Sequence, residues 1–210
     1  MSTFQEVNDA SLIKLIGEAQ RRVVFVAPGV HQAVAEALGQ RLAEIDRLQV
    51  TVVIDPDEDV CRIGYGDAKG LELLSSYADR QSFVLMAQPG LRVGVLLVDD
   101  VTLVWSPTPR SVEAAPVGNA ASPTERSPNG LLLGANPGEQ LAHAVSAAGT
   151  DTLPFDAEVG VEVVTKERVQ KTLDGLAKNP PIPVDLARIT RVFSTKLQFA
   201  EFTVKGAKFS

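Results

Sequence analysis

One cysteine and two histidines are all that the chain offers to thiol or imidazole chemistry. Cys61 cannot form an internal disulfide, and with His31 and His143 it assembles no zinc pattern, so a disulfide scaffold and a structural zinc site are both excluded. No metal and no cofactor are expected. The N-terminus, MSTFQEVNDASLIKLIGEAQ, lacks the basic start and long apolar run of a signal peptide. No later stretch approaches about 18 consecutive apolar residues, so membrane insertion is not expected and a cytoplasmic location is. A basic excess is missing too. The formal charge of −6 argues against a generally basic surface and makes nucleic acid a disfavoured partner.

The remaining composition is that of a globular protein. Hydrophobic residues are 45% and charged residues 22% of the 210, which rules out wholesale disorder and leaves enough apolar side chains for one substantial core. The organisation expected is an α/β domain over 1–150, with a long Pro-, Ser- and Ala-rich loop at 107–129, followed by a C-terminal helix-plus-strand extension over 151–210. The last residues, VKGAKFS, close on no recognisable cap, and continuation of the native chain is expected from that.

Periodicity fills in the elements. Asn8 is placed to cap a helix with Leu12, Ile13, Leu15, Ile16 and Ala19 on one face, and VVFVAPG then reads as a strand buried on both sides and ended by Pro28-Gly29. Val34, Ala37, Leu38, Leu42 and Ile45 recur at helical spacing, which makes a βα unit. The pattern returns in VTVVIDPDED, in the helix of GDAKGLELLSSYADR, and in the strand SFVLMA. VGVLLVDDVTLVWS is a β-hairpin turning at Asp99-Asp100. Asn136-Pro137-Gly138-Glu139 opens a helix to about Ala148, and Val169, Leu173 and Leu176 mark another that Asn179-Pro180-Pro181 stops. PVDLARITRVF reads as a helix and KLQFAEFTV as a strand.

The succession RRVVFVAPGV, LQVTVVIDPDED, GLELL and GVLLVDDVTLVWSPT resembles one repeat of the phospholipase D-like superfamily over about residues 10–148. The resemblance implies a mixed β-sheet sandwiched between helices. It also implies a site built on H-x-K-x4-D, where the histidine attacks phosphorus, the lysine stabilises phosphoryl charge, and two such motifs face each other from two repeats or two subunits. Here the motif is degenerate. With Asp100 as its aspartate, Val93 and Val95 occupy the histidine and lysine places; with Asp99, Arg92 and Gly94 do. The glycine expected before Ser106 is Trp105.

Other residues are candidates for chemistry. His31 follows Pro-Gly at a strand-to-helix junction, where ligands often sit in α/β sheets, although a plain surface residue at a helix start is the simpler reading. Arg62 and Arg92, near strand ends, are candidates for binding an anion through bidentate contacts, with Ser106 beside the hairpin as a further ligand-binding candidate. Ser106 has no G-x-S-x-G setting for hydrolase chemistry. Asp55, Asp57, Glu58 and Asp59 read as turn chemistry before they read as a cation site. Gly64-Tyr65-Gly66 lacks the rest of a phosphate loop. Lys196, Lys205 and Lys208 alternate with Phe199, Phe202 and Phe209 as a half-buried strand would, or as a nucleic-acid contact would.

Three functions follow as expectations. The first is a catalytically inactive phospholipase D-like domain serving binding, regulation or assembly, with self-association or pairing with a second domain. The second is a nuclease or phosphodiesterase half-site completed by an intact motif elsewhere. The third is a small-ligand sensor.

Overall fold

The computed structural model describes residues 3–80, 83–112, 128–133 and 162–181. Their strands are β1 (Thr3–Gln5), β2 (Arg22–Val26), β3 (Gln49–Ile54), β4 (Val84–Ala87), β5 (Gly94–Val98), β6 (Val101–Trp105), β7 (Gly130–Leu133) and β8 (Glu162–Val163). Their helices are α1 (Asp9–Glu18), α2 (Gln32–Glu44), α3 (Glu58–Arg62), α4 (Ala68–Asp79) and α5 (Lys166–Lys178). The helices predicted over 136–148 and in PVDLARITRVF, and the strand KLQFAEFTV, lie outside the described residues.

The strands form one mixed sheet in the order β1-β7-β6-β5-β2-β3-β4-β8. β2, β3 and β4 run parallel, and every other neighbouring pair is antiparallel. The parallel part comes from two βα units, because a parallel pair needs a crossover, and α2 and α4 supply it. The antiparallel part comes from the predicted hairpin, where Gly94 pairs with Trp105 and Val98 with Val101 around the two-residue turn.

Continuous apolar strands are explained by burial on both faces. On one side of β2, Val23 and Phe25 join Val34, Leu38, Leu71 and Leu74 of the helices in the main core. On the other, Val24 and Val26 pack with Val53, Met86, Leu91 and Leu97. These four of the five β2 side chains are 2% exposed or less, so beyond Arg22 the strand has no solvent face. α1 begins where Asn8 Oδ1 accepts from the Ser11 amide at 3.1 Å while Ser11 Oγ accepts from the Asn8 amide at 2.9 Å. α5 buries Val169, Thr172 and Leu176, and is tied down by the Thr172 hydroxyl donating to the Pro56 carbonyl at 2.5 Å. Before it, the two-residue β8 pairs with the end of β4.

The turn at Asp99-Asp100 is built around the first aspartate. Asp99 takes the left-handed φ of 50°, which aspartate tolerates better than most side chains. Its carboxylate accepts three backbone amides of the chain entering β2: Gln20 at 2.9 Å, Arg21 at 2.8 Å and Arg22 at 2.9 Å. Asp100 only meets the exposed Arg21 guanidinium at 2.6 Å. Burial alone would raise the Asp99 carboxyl, but the amides of Arg22, Gln20 and Arg21 and the Arg21 charge outweigh it and hold the group below its ordinary value.

Asp99→Ala is expected to lower stability by about 2 kcal/mol, since three donors lose an ionised acceptor and alanine tolerates the positive φ poorly. Asp99→Gly relaxes the φ and should cost less, and Asp100→Ala should stay within about 0.5 kcal/mol. Because the folded-state value of Asp99 is lowered, its contribution is present above the unfolded carboxylate range and is lost as pH falls through the folded value. Urea midpoints of wild type and Asp99→Asn at neutral and acid pH check this, with the gap closing in acid. A separate flaw is the buried Thr102 hydroxyl, which has no hydrogen-bond partner among the described residues. Thr102→Val should therefore be neutral or stabilising by about 1 kcal/mol in the same urea titration.

Candidate functional site

The ends of β2 and β3 meet the starts of α2 and α4 on one side of the molecule, the position where open α/β sheets present donors to ligands. His31 is the N-cap of α2, with no side-chain capping bond. Its side chain is only 17% exposed, so the sequence reading of a plain surface residue is corrected here. Residues 107–112 run beside it, with Pro107, Thr108 and Arg110 lining the same small cavity as His31. That segment, expected to be part of a mobile loop, is anchored by the amides of Arg110 and Ser111 donating to the carbonyls of Gly64 and Ile63, both at 3.1 Å. Gly64 is required for this. It sits at φ 93°, and a Cβ there would run into the backbone nitrogens of Ser111 and Arg110. Gly64-Tyr65-Gly66 is thus a packing device.

Arg110 brings the second element of the site. Its guanidinium grips Asp9 at the start of α1, with Nη2 to Oδ1 at 2.6 Å and Nη1 to Oδ2 at 3.0 Å. His31 Nδ1 lies 3.8 Å from the same Asp9 Oδ1. Burial pushes the His31 imidazole below its ordinary value, and the Arg110 charge pushes the same way, against the opposing pull of Asp9, Asp67 and the Gly64 backbone. The third element is Asp67, the N-cap of α4. Its Oδ1 accepts the Gly70 amide at 2.6 Å and its Oδ2 accepts the Gln32 amide, the first of α2, at 3.0 Å.

Two cavities meet at His31 and Arg110. The smaller, about 40 Å³, runs inward to Phe25 and Trp105. The larger, about 550 Å³, opens under α5, whose Leu173, Leu176 and Ala177 face Asp67 and Ser111. Cys61 lines it as well, with its thiol pushed up to about 12 by burial and then by the charges of Asp67, Asp57 and Asp55. Burial thus disfavours the thiolate, the reactive form.

The other predicted residues are dispersed. Arg62 ends α3 and is engaged by Glu58 at 3.5 Å, by Asp59, and by the Asn179 carbonyl at 3.4 Å. Arg92 precedes β5, reaches the buried Asp55 at 3.3 Å, and lies 5.7 Å over the Tyr65 ring with about half of its side chain exposed, at 51%. Ser106 is exposed, and its backbone is clamped by Asn129. Val93 is exposed, while Val95 packs on the second face of the sheet. Gly94, the alternative lysine place, lies under the Trp105 indole, which a Cβ there would strike. Asp55 accepts the Gly90 amide at 2.9 Å and Asp57 caps α3, so the acidic cluster is turn and cap chemistry. Among the described residues no group of three His, Cys, Asp or Glu is arranged to hold a metal ion, and no helix is long and apolar enough to cross a membrane.

Asp9, Asp67 and Arg110 are the site residues that sequence reasoning missed. The aspartates had a signal, since each stands at a predicted helix start; Arg110 lay in a segment without period.

The lowered His31 value gives a pH dependence with a defined sign. The unfolded chain binds this proton more tightly than the folded chain does, so stability falls as pH drops through the ordinary histidine range. Urea midpoints should decline from neutral to mildly acid pH in wild type, and the decline should be shallower in His31→Gln. An equal slope in both would remove His31 as its source.

No family model and no curated protein sequence matches this chain. Among solved structures it is similar to TrmBL2, an archaeal chromatin protein with a novel mode of DNA binding, at 10% identity and a TM-score of 0.39 over 64% of this chain and 45% of that one. It is similar to Nuc from Salmonella typhimurium, a phospholipase D family member, at 15% identity and a TM-score of 0.44 over 69% of this chain and 88% of that one. It is also similar to the phosphatidylserine synthase of Haemophilus influenzae Rd KW20, at 14% identity and a TM-score of 0.43 over 81% of this chain and 42% of that one. The chain spans less than half the length of the first and third of these.

Proposed function

We propose that this chain is a phospholipase D-like domain without phosphodiester chemistry, acting by binding in regulation or assembly. One observation carries the reading: the hairpin that resembles the catalytic segment offers no nucleophile in either alignment. In the Asp100 alignment, Val93 and Val95 are hydrocarbon, and Val95 is spent on packing beside its β2 partner Val26. In the Asp99 alignment, the lysine place is Gly94 and is covered by Trp105. The histidine place is then Arg92, and a guanidinium offers no lone pair with which to attack phosphorus or relay a proton. Pairing with a second copy or a second domain belongs to the same reading, because the family geometry brings two such segments face to face.

The experiment is hydrolysis of bis(p-nitrophenyl) phosphate by the purified chain from mildly acid to mildly alkaline pH. The expected rate equals that of buffer. Turnover that His31→Ala abolishes would overturn the proposal, because His31 is then the replacement nucleophile.

A second reading, the half-site of a nuclease or phosphodiesterase, is favoured by Arg92 alone. Held by a buried carboxylate and stacked on an aromatic ring, it presents a half-exposed guanidinium, the preorganised form in which arginine binds phosphate. Activity that appears only when a protein bearing the intact motif is added, and that falls on Arg92→Ala, would replace the first reading with this one.

A further inference from the structure

We infer that the cleft beneath α5 binds an uncharged small molecule with an apolar body, and that Asp67 is the device that keeps phosphorylated compounds out of it. The inference deepens the binding reading above by naming a site and a ligand class.

Helix N-termini at the ends of parallel strands are ready-made anion sites, because their first amides lack partners and their dipoles favour negative charge. Two of them, those of α2 and α4, converge at this cleft. The chain has filled the place itself: the two oxygens of Asp67 take the Gln32 and Gly70 amides at 3.0 and 2.6 Å. A phosphate entering here would compete with a covalently tethered carboxylate for the same donors, at like-charge distance.

The cation beside it is equally committed. Both terminal nitrogens of Arg110 are bound to the two oxygens of Asp9, the bidentate arrangement that an incoming phosphate would have to break. Burial and the Arg110 charge favour the uncharged form of the third group, His31. The Arg110 charge is thus paired with Asp9, and both oxygens of Asp67 are taken by amides, before a ligand arrives.

What remains for a ligand is volume, apolar surface and weak polar groups. The cleft of about 550 Å³ is within the range of small-molecule sites. Its roof is Leu173, Leu176 and Ala177. Ser111 and His31 line it as well, and their hydroxyl and imidazole can orient an uncharged polar group.

The test is a matched series on one apolar body: naphthol, naphthyl phosphate and naphthylmethylammonium, titrated calorimetrically into the full chain. Naphthol is expected to bind saturably, and naphthyl phosphate about tenfold or more weakly, as one unpaired charge would require. Ala177→Phe, at an exposed position of α5, should fill the mouth and abolish naphthol binding while leaving the thermal midpoint unchanged; Ala177→Leu is the smaller step in the same direction should the first variant not fold. Asp67→Asn keeps one capping oxygen but removes the charge, and should narrow the affinity gap between naphthol and naphthyl phosphate severalfold.

Three results would overturn the inference: naphthyl phosphate or naphthylmethylammonium binding as tightly as naphthol, no naphthol binding up to its solubility, or naphthol binding indifferent to both Ala177 variants. None of them touches the phosphodiesterase result, so this inference can fail while the non-catalytic reading stands.

Discussion

The convergence of three backbone amides on the Asp99 carboxylate is the constraint on which the rest of the sheet depends. It fixes the entrance of β2 against the end of β5, and with it the pairing of Val23 with Val98. Side chains alternate across a strand, so a slip of one residue here would exchange the faces of β5. Leu96 and Val98 would leave the main core and Leu97 would leave the second cluster. One turn residue therefore decides where the antiparallel hairpin joins the parallel βα units, and hence which side chains reach the strand ends.

Much of this architecture was legible in the sequence. α1, α2, α4 and α5 showed their apolar faces at helical spacing, and β2, β3 and the hairpin were apolar runs bounded by turn residues. Sequence could not choose between Asp99 and Asp100, because identical neighbours differ only in which amides the fold aims at them. β1, β8 and α3 were missed for a related reason. Strands of three and two residues and a helix of five carry no period, and tertiary contacts hold them.

The site was less legible than the fold. His31 was found by its position after Pro-Gly, but its burial depends on Arg110 and residues 107–112, which are far away in sequence and rich in proline and serine. The candidates chosen for charge alone, Arg62 and Arg92, turned out to be held by acids of their own neighbourhood. A sequence displays charges singly, whereas a fold presents them in pairs, and only the pairing tells whether a charge is left over for a ligand.

The tethering of α5 bears on how the interior is reached. Two residues of β8, the Val164 amide on the Leu85 carbonyl at 2.8 Å, the Thr172 hydroxyl and one apolar stripe are among the contacts that fasten it, whereas β2 is hydrogen-bonded along both edges. Regions with few tethers detach at a fraction of the free energy of global unfolding. α5 is fastened to the sheet by side chains and one short strand, where β2 is fastened by its whole backbone.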